Sequence, residues 1–178
     1  RINAGGRVGK SSHGANLLLN TNPKDAFKIA SELDQFNKER QLLENDVFEK
    51  ILKEANINSQ DPVIILSGKN WHEGVIGIVA SRIKDKFNKP VIIISVNNDI
   101  GKASARSIVG FDIGSLIISA TQENILIKGG GHKMAGGFSI NVKKIEKLKD
   151  FIFNKVKRMQ RNVSKDRLLY FDSVIAPT

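Results

Sequence analysis

Nine residues, "GGGHKMAGG" from Gly129 to Gly137, set five glycines around one histidine and one lysine. So many glycines let the backbone approach an anion closely, with N–H groups turned toward it. Gly130 and Gly131 are the expected backbone contacts. His132 can donate to a phosphate oxygen or carry a proton, so the motif reads as a site rather than a plain tight turn. A second stretch, "KASARSI" (102–108), holds Lys102, Ser104, Arg106 and Ser107 within six residues. On a strand Lys102, Ser104 and Arg106 share one face. They could clamp a phosphate with Arg106 bidentate, or they could simply mark an exposed edge strand. A third, "WHEGVIGIVASRI" (71–83), puts Trp71 and His72 before a helix of small residues. Glu73 there suits the helix dipole better than acid–base work.

A fourth stretch, "AGGRVGKSS" (4–12), mimics a phosphate-binding P-loop with Ala4 in place of the first glycine. Its context excludes that chemistry. A P-loop needs a buried strand before it and a helix after it. Only "RIN" precedes this one, and neither "VIILSG" nor "VIIISV" leads to the acidic residue that would help hold Mg²⁺. His72 and His132 belong to no local His/Asp cluster or dense set of carboxylates, so no complete metal site is expected.

The elements that must position these residues are legible as patterns. Asn22 and Pro23 can start a helix, and Ile29, Leu33, Phe36, Leu43, Val47 and Ile51 recur at helical spacing, interrupted by Arg40. The spacing predicts one amphipathic connector helix over about 23–55. Asp61-Pro62 breaks the chain. "VIILSG" (63–68) and "VIIISV" (91–96) are apolar runs expected as strands buried on both faces. Between them 72–88 has helical periodicity, which makes a βαβ unit. A strand over 102–108, a short helix in "FDIGSLIISATQ", a glycine loop, a strand at 138–141 and a basic helix over about 143–160 follow. "RLLYFDSVIAPT" looks like the start of another strand. The fold expected is α/β, a mixed sheet with flanking helices behind a long helix.

Composition sets the wider frame. No run of about 18 apolar residues is present, so no membrane span is expected. Cysteine is absent, which excludes disulfides and thiolate metal sites and fits a reducing compartment, the cytoplasm by default. The net charge is +10, with ten Lys/Arg against four Asp/Glu in residues 143–178. Such a tail suits nucleic acid or is a solvated helix face. The chain opens without Met, inside what reads as a loop, and a piece of a longer protein is expected.

Together, "RINAGGR", the long connector, "WHEGVIGIVASRI", "KASARSI" and "GGGHKMAGGFSI" occur in an order that resembles the RecJ family of single-strand-specific 5′→3′ DNA exonucleases, members of the DHH phosphoesterases. The resemblance implies a DHH-associated domain over 61–160 and a joining helix over 22–56. It implies that 1–21 is a loop arriving from a catalytic domain before Arg1, and that 161–178 is a linker and the start of an oligonucleotide-binding barrel. Mn²⁺ or Mg²⁺ would be held by ligands outside this chain. Arg1, Arg7, Ser104, Arg106 and His132 would face the DNA backbone or the scissile phosphate, with Lys102 and Ser107 beside them. The partner implied is single-stranded DNA, with a helicase or single-strand-binding protein as possible partners of the parent enzyme. Two alternatives are a phosphodiesterase acting on short oligonucleotides or cyclic dinucleotides, and a non-catalytic nucleic-acid-binding module.

Overall fold

The structure is a computed structural model that describes residues 2–54, 57–58 and 60–159. Its longest element is a helix, Pro23–Glu54, preceded by two short ones, so these are α3, α1 (Gly5–Val8) and α2 (His13–Leu19). Asn22 starts α3 as expected: its Oδ1 accepts from Lys24 N–H at 3.0 Å, while Pro23, which has no N–H to leave orphaned, takes the first turn. The 32 residues span roughly 48 Å. Leu33, Val47, Phe48 and Ile51 are the buried part of its stripe.

A βαβ unit follows. Strand β1 (Ile64–Lys69) runs parallel to β2 (Val91–Asn97), joined by α4 (Glu73–Phe87). His72 Nδ1 accepts from Gly74 N–H at the start of α4, and Asn88 ends it in the left-handed region at φ 51°, which asparagine tolerates better than most residues. Strand β3 (Ile100–Arg106) pairs antiparallel with β2; α5 (Ile113–Gln122) is capped by Asp112. A hairpin, β4 (Lys128–His132) and β5 (Ala135–Asn141), completes a sheet of order β1-β2-β3-β5-β4 before helix α6 (Ile145–Met159).

The sheet has two unlike faces. Ile92, Ile94, Ala103, Ala105, Phe138 and Ile140 point to one side and build the main core with α5 and α6. Val91 and Ile93 point to the other and pack with Val75, Ile76 and Val79 of α4 and Val47 and Ile51 of α3. On this second face α4 lies over β2 and against part of β3, where Gly77 meets Ser104 and Arg106, and β5 and β4 are left open.

Several expectations need correction. Within the opening stretch expected as a loop, residues 2–19 form a 3₁₀ turn (Ile2–Ala4), α1 and α2, which fold back against α3. The expected glycine loop is the β4–β5 hairpin, whose strand begins at Ala135 rather than Phe138. Strand β3 ends at Arg106, so Ser107 lies beyond it. The run at 63–68 is buried on both faces only at its start, because β1 is an edge strand whose burial falls off after Ile65. The strand expected in "RLLYFDSVIAPT" lies outside the described residues.

The joint between α3 and α4 is ionic as well as apolar. Arg40, which interrupts the stripe, donates to Glu44, and Glu44 also accepts from Arg82 of α4 at 3.1 Å. Arg82 lies 3.9 Å over the Phe48 ring. The Glu44 side chain is 12% exposed, so two arginines share one largely dehydrated anion. Glu44→Ala should cost about 2 kcal/mol, read as a lower urea midpoint with an unchanged slope.

Candidate nucleic-acid interface

Register places the functional side chains. In antiparallel pairs, residues directly opposite one another share a face. Lys102 pairs with Ser139, Ser104 with Gly137 and Arg106 with Ala135. On the next strand Lys128 pairs with Ser139, Gly130 with Gly137 and His132 with Ala135. All nine positions therefore lie on the face that α4 only partly covers. The platform is cationic at its edges and almost bare of side chains in the middle, where a Cβ on Gly130 would meet nothing within 4 Å.

The cavity above this platform measures about 680 Å³ and is walled by α1, α4 and the three strands. Its cationic side chains are Arg7, Lys102, Lys128 and Arg106, against the single carboxylate of Glu73. Lys102 Nζ donates to that carboxylate at 2.7 Å, which leaves three cations without a matching anion in the wall. Arg106 is held by its Nη1, which donates to Ser104 Oγ at 3.1 Å and to the Ala105 carbonyl at 2.8 Å. Burial, and then the Arg7 charge beside it, pull Arg106 below the ordinary arginine range. Two guanidiniums packed together and partly dehydrated favour an anion between them.

Close approach of α4 to its neighbours depends on two glycines. A Cβ on Gly77 would lie 2.9 Å from Arg106 Nη2 and 3.0 Å from Ser104 Oγ. One on Gly74 would lie 2.1 Å from the Arg7 carbonyl oxygen. Gly74→Ala should therefore push α1 off α4, costing about 1–3 kcal/mol as overpacking, and it should carry Arg7 away from the cavity. Gly6→Ala, a helical position facing open space, is the matched control and should not lower the urea midpoint.

The expected site residues divide. Arg7, Lys102, Ser104, Arg106 and Gly130 come together at the cavity. His132 shares their face in the row of Arg106 but stands two strands away, about 10 Å at the backbone. It is exposed, and its Nδ1 accepts from Met134 N–H at 3.3 Å. Ser107 is a correction: it is 1% exposed and its Oγ donates to the Phe111 carbonyl at 2.6 Å, so it ties a loop and cannot reach a ligand. Gly131 is another, since register turns it to the α5 side, opposite Gly136. Arg1 lies outside the described residues. Lys128 and Ser139 line the cavity and were not expected; the period-two rule sets Lys128 on the face of His132 only once "KGGGH" is known to be a strand.

The basic tail also moves. Ile145, Leu148, Ile152 and Val156 seat α6 in the core on the opposite side of the sheet, so the cations of α6 do not line this cavity. Among the described residues, no three His, Asp or Glu side chains come together as metal ligands. The divalent ion implied by the resemblance does not fit these residues. No helix among the described residues is long and apolar enough to cross a membrane.

The DHHA1 domain model matches residues 60–158. The single-stranded-DNA-specific exonuclease RecJ of Bacillus subtilis is 33% identical over 152 residues, covering 84% of this chain and 19% of that protein. The RecJ of Haemophilus influenzae is 38% identical over 148 residues, covering 79% and 26%. The crystal structure of Thermus thermophilus RecJ in complex with Mg²⁺ superposes with a TM-score of 0.78 at 31% identity, covering 88% of this chain and 24% of that one. A second structure of that protein is a complex with Mn²⁺. The chain thus spans about a fifth to a quarter of the curated relatives it matches.

Proposed function

This chain belongs to the DHHA1 domain family, and from that premise we propose that it is the substrate-gripping part of a RecJ-like exonuclease acting on single-stranded DNA from the 5′ end. The observation that carries the reading is the cavity wall: Arg7, Arg106 and Lys128 face a glycine-paved strip with no carboxylate to neutralise them. A sugar–phosphate backbone is a thin, repeating anion, and bare glycine backbone lets it lie close to the sheet. In this arrangement Arg106 and Arg7 hold phosphate oxygens. Ser104 fixes the guanidinium, and Gly130 removes what would block the strand. His132 donates to an oxygen of the reacting phosphate at the end of the same face. The metal chemistry of such an enzyme belongs to other residues of the parent protein, acting in the cytoplasm where its DNA is.

Binding should be electrostatic and sequence-tolerant. With three unmatched cations engaged and a single-strand slope near −0.7 per phosphate, log K should fall with log salt at a slope of about −2. Anisotropy of a dye-labelled oligonucleotide across a salt series measures it. The same mixtures with Mn²⁺ should release no nucleotides from this chain alone. A salt-independent affinity would sink the proposal.

A further inference from the structure

A second cavity adjoins the first, and of its lining only Arg7 takes part in the phosphate contacts. It measures about 760 Å³, lies on the same face of the sheet, and shares Arg7, Glu73 and Gly74 with its neighbour as a common wall. It opens where the parallel strands β1 and β2 end, the place at which open α/β sheets take ligands. Its far side is built differently. Trp71 supplies an aromatic ring, and Asn70 and Asn97 supply carboxamides, with His72 beside them. The ring is braced: a Cβ on Gly68 would lie 2.3 Å from two indole atoms, so the indole rests directly on glycine backbone. The Trp71 carbonyl is tied down from the neighbouring strand by Ser95 Oγ.

We infer that this second cavity is a nucleobase subsite, in which Trp71 stacks on the base of a nucleotide whose phosphate lies between Arg7 and Arg106. The inference rests on the proposed single-stranded-DNA reading. The wall chemistry suits a base, whose flat apolar faces need an aromatic partner and whose edge carries mixed donors and acceptors. A carboxamide offers both an acceptor and donors, so Asn70 and Asn97 meet either kind of edge. The subsite therefore adds affinity for bases without choosing among them, as aromatic platforms for single strands do.

Trp71 is the one tryptophan of the chain, so its emission reports on this cavity directly. The test compares 5′-phosphorylated hexathymidylate with the same hexamer lacking all bases, following dye anisotropy and tryptophan emission at low salt. The expected result is quenching of Trp71 by the thymidylate in step with its anisotropy curve. The abasic strand should bind about tenfold more weakly and leave the emission unchanged. Trp71→Ala should reduce thymidylate binding to the abasic level and cost the abasic strand nothing further. If that variant does not fold, the emission of the unaltered chain decides alone. Equal affinities, or equal quenching by both strands, would overturn the subsite and leave the DNA reading in place. No anisotropy change with either strand would overturn that reading, and the subsite with it.

Discussion

Arg106→Lys in the full-length parent enzyme is expected to weaken DNA binding or cleavage tenfold or more, although it keeps the charge. The guanidinium lies in a slot between β3 and α4 that exists because residue 77 is glycine. One nitrogen, Nη1, is spent on Ser104 Oγ and the Ala105 carbonyl. That anchoring leaves the rest of the planar fork fixed in space, able to present two N–H groups to one phosphate. A lysine ammonium has no second branch with which to hold itself to the sheet while donating to a ligand. Losing one charge-assisted hydrogen bond costs about 1.5–3 kcal/mol, and 1.4 kcal/mol is already tenfold. Binding and single-turnover cleavage measured on one preparation would test it. An Arg106→Lys enzyme within twofold of the unaltered one would show that charge alone matters here.

His132→Ala in the same enzyme should depress turnover by about 100-fold while moving affinity much less. The histidine is exposed and makes one long hydrogen bond within its own hairpin, so little of the fold depends on it and the melting temperature should barely change. A donor aimed at an oxygen whose charge grows during attack contributes chiefly in the transition state, and removing such a donor costs 10²–10³ in rate. The effect should therefore fall on kcat and kcat/KM alike. Loss confined to stability, with turnover per folded molecule intact, would remove His132 from the catalytic reading.

The helices and the buried strands were legible because their signals are local. Asn22-Pro23 starts α3, the spacing of Val75, Ile76, Val79 and Ile83 marks α4, and the run Val91–Val96 can only be a covered strand. Lys102, Ser104 and Arg106 could be assigned to one face before any pairing was known. The hairpin was hidden for a physical reason. Period-two alternation needs side chains to alternate, and Gly129, Gly130 and Gly131 have none. Lys128 and Ser139 went unnoticed with it, as partners across a turn that glycine-rich sequence reads as loop. Ser107 was misread although the period-two rule already sets it with the core-facing Ala103 and Ala105 rather than with Ser104 and Arg106; β3 ends two residues before its expected end, and the hydroxyl is spent on the Phe111 carbonyl. The short helices before α3 leave little trace because glycine disfavours helix; they form where Gly5 and Gly74 let backbone pack against backbone.

Strand β3 keeps two separate accounts of fitness along one stretch of chain. Ala103 and Ala105 look into the dry core, while Lys102, Ser104 and Arg106 look across the open platform. Substitutions at odd numbers should be judged by whether the protein survives, those at even numbers by whether it recognises its ligand. Over evolutionary time the two sets can drift independently, so ligand preference can be retuned at 102, 104 and 106 without first raising stability elsewhere. A deletion of one residue within β3 would reverse the facing of every strand residue on one side of it, burying charge or exposing alanine there, and no substitution at a single position could restore both sets.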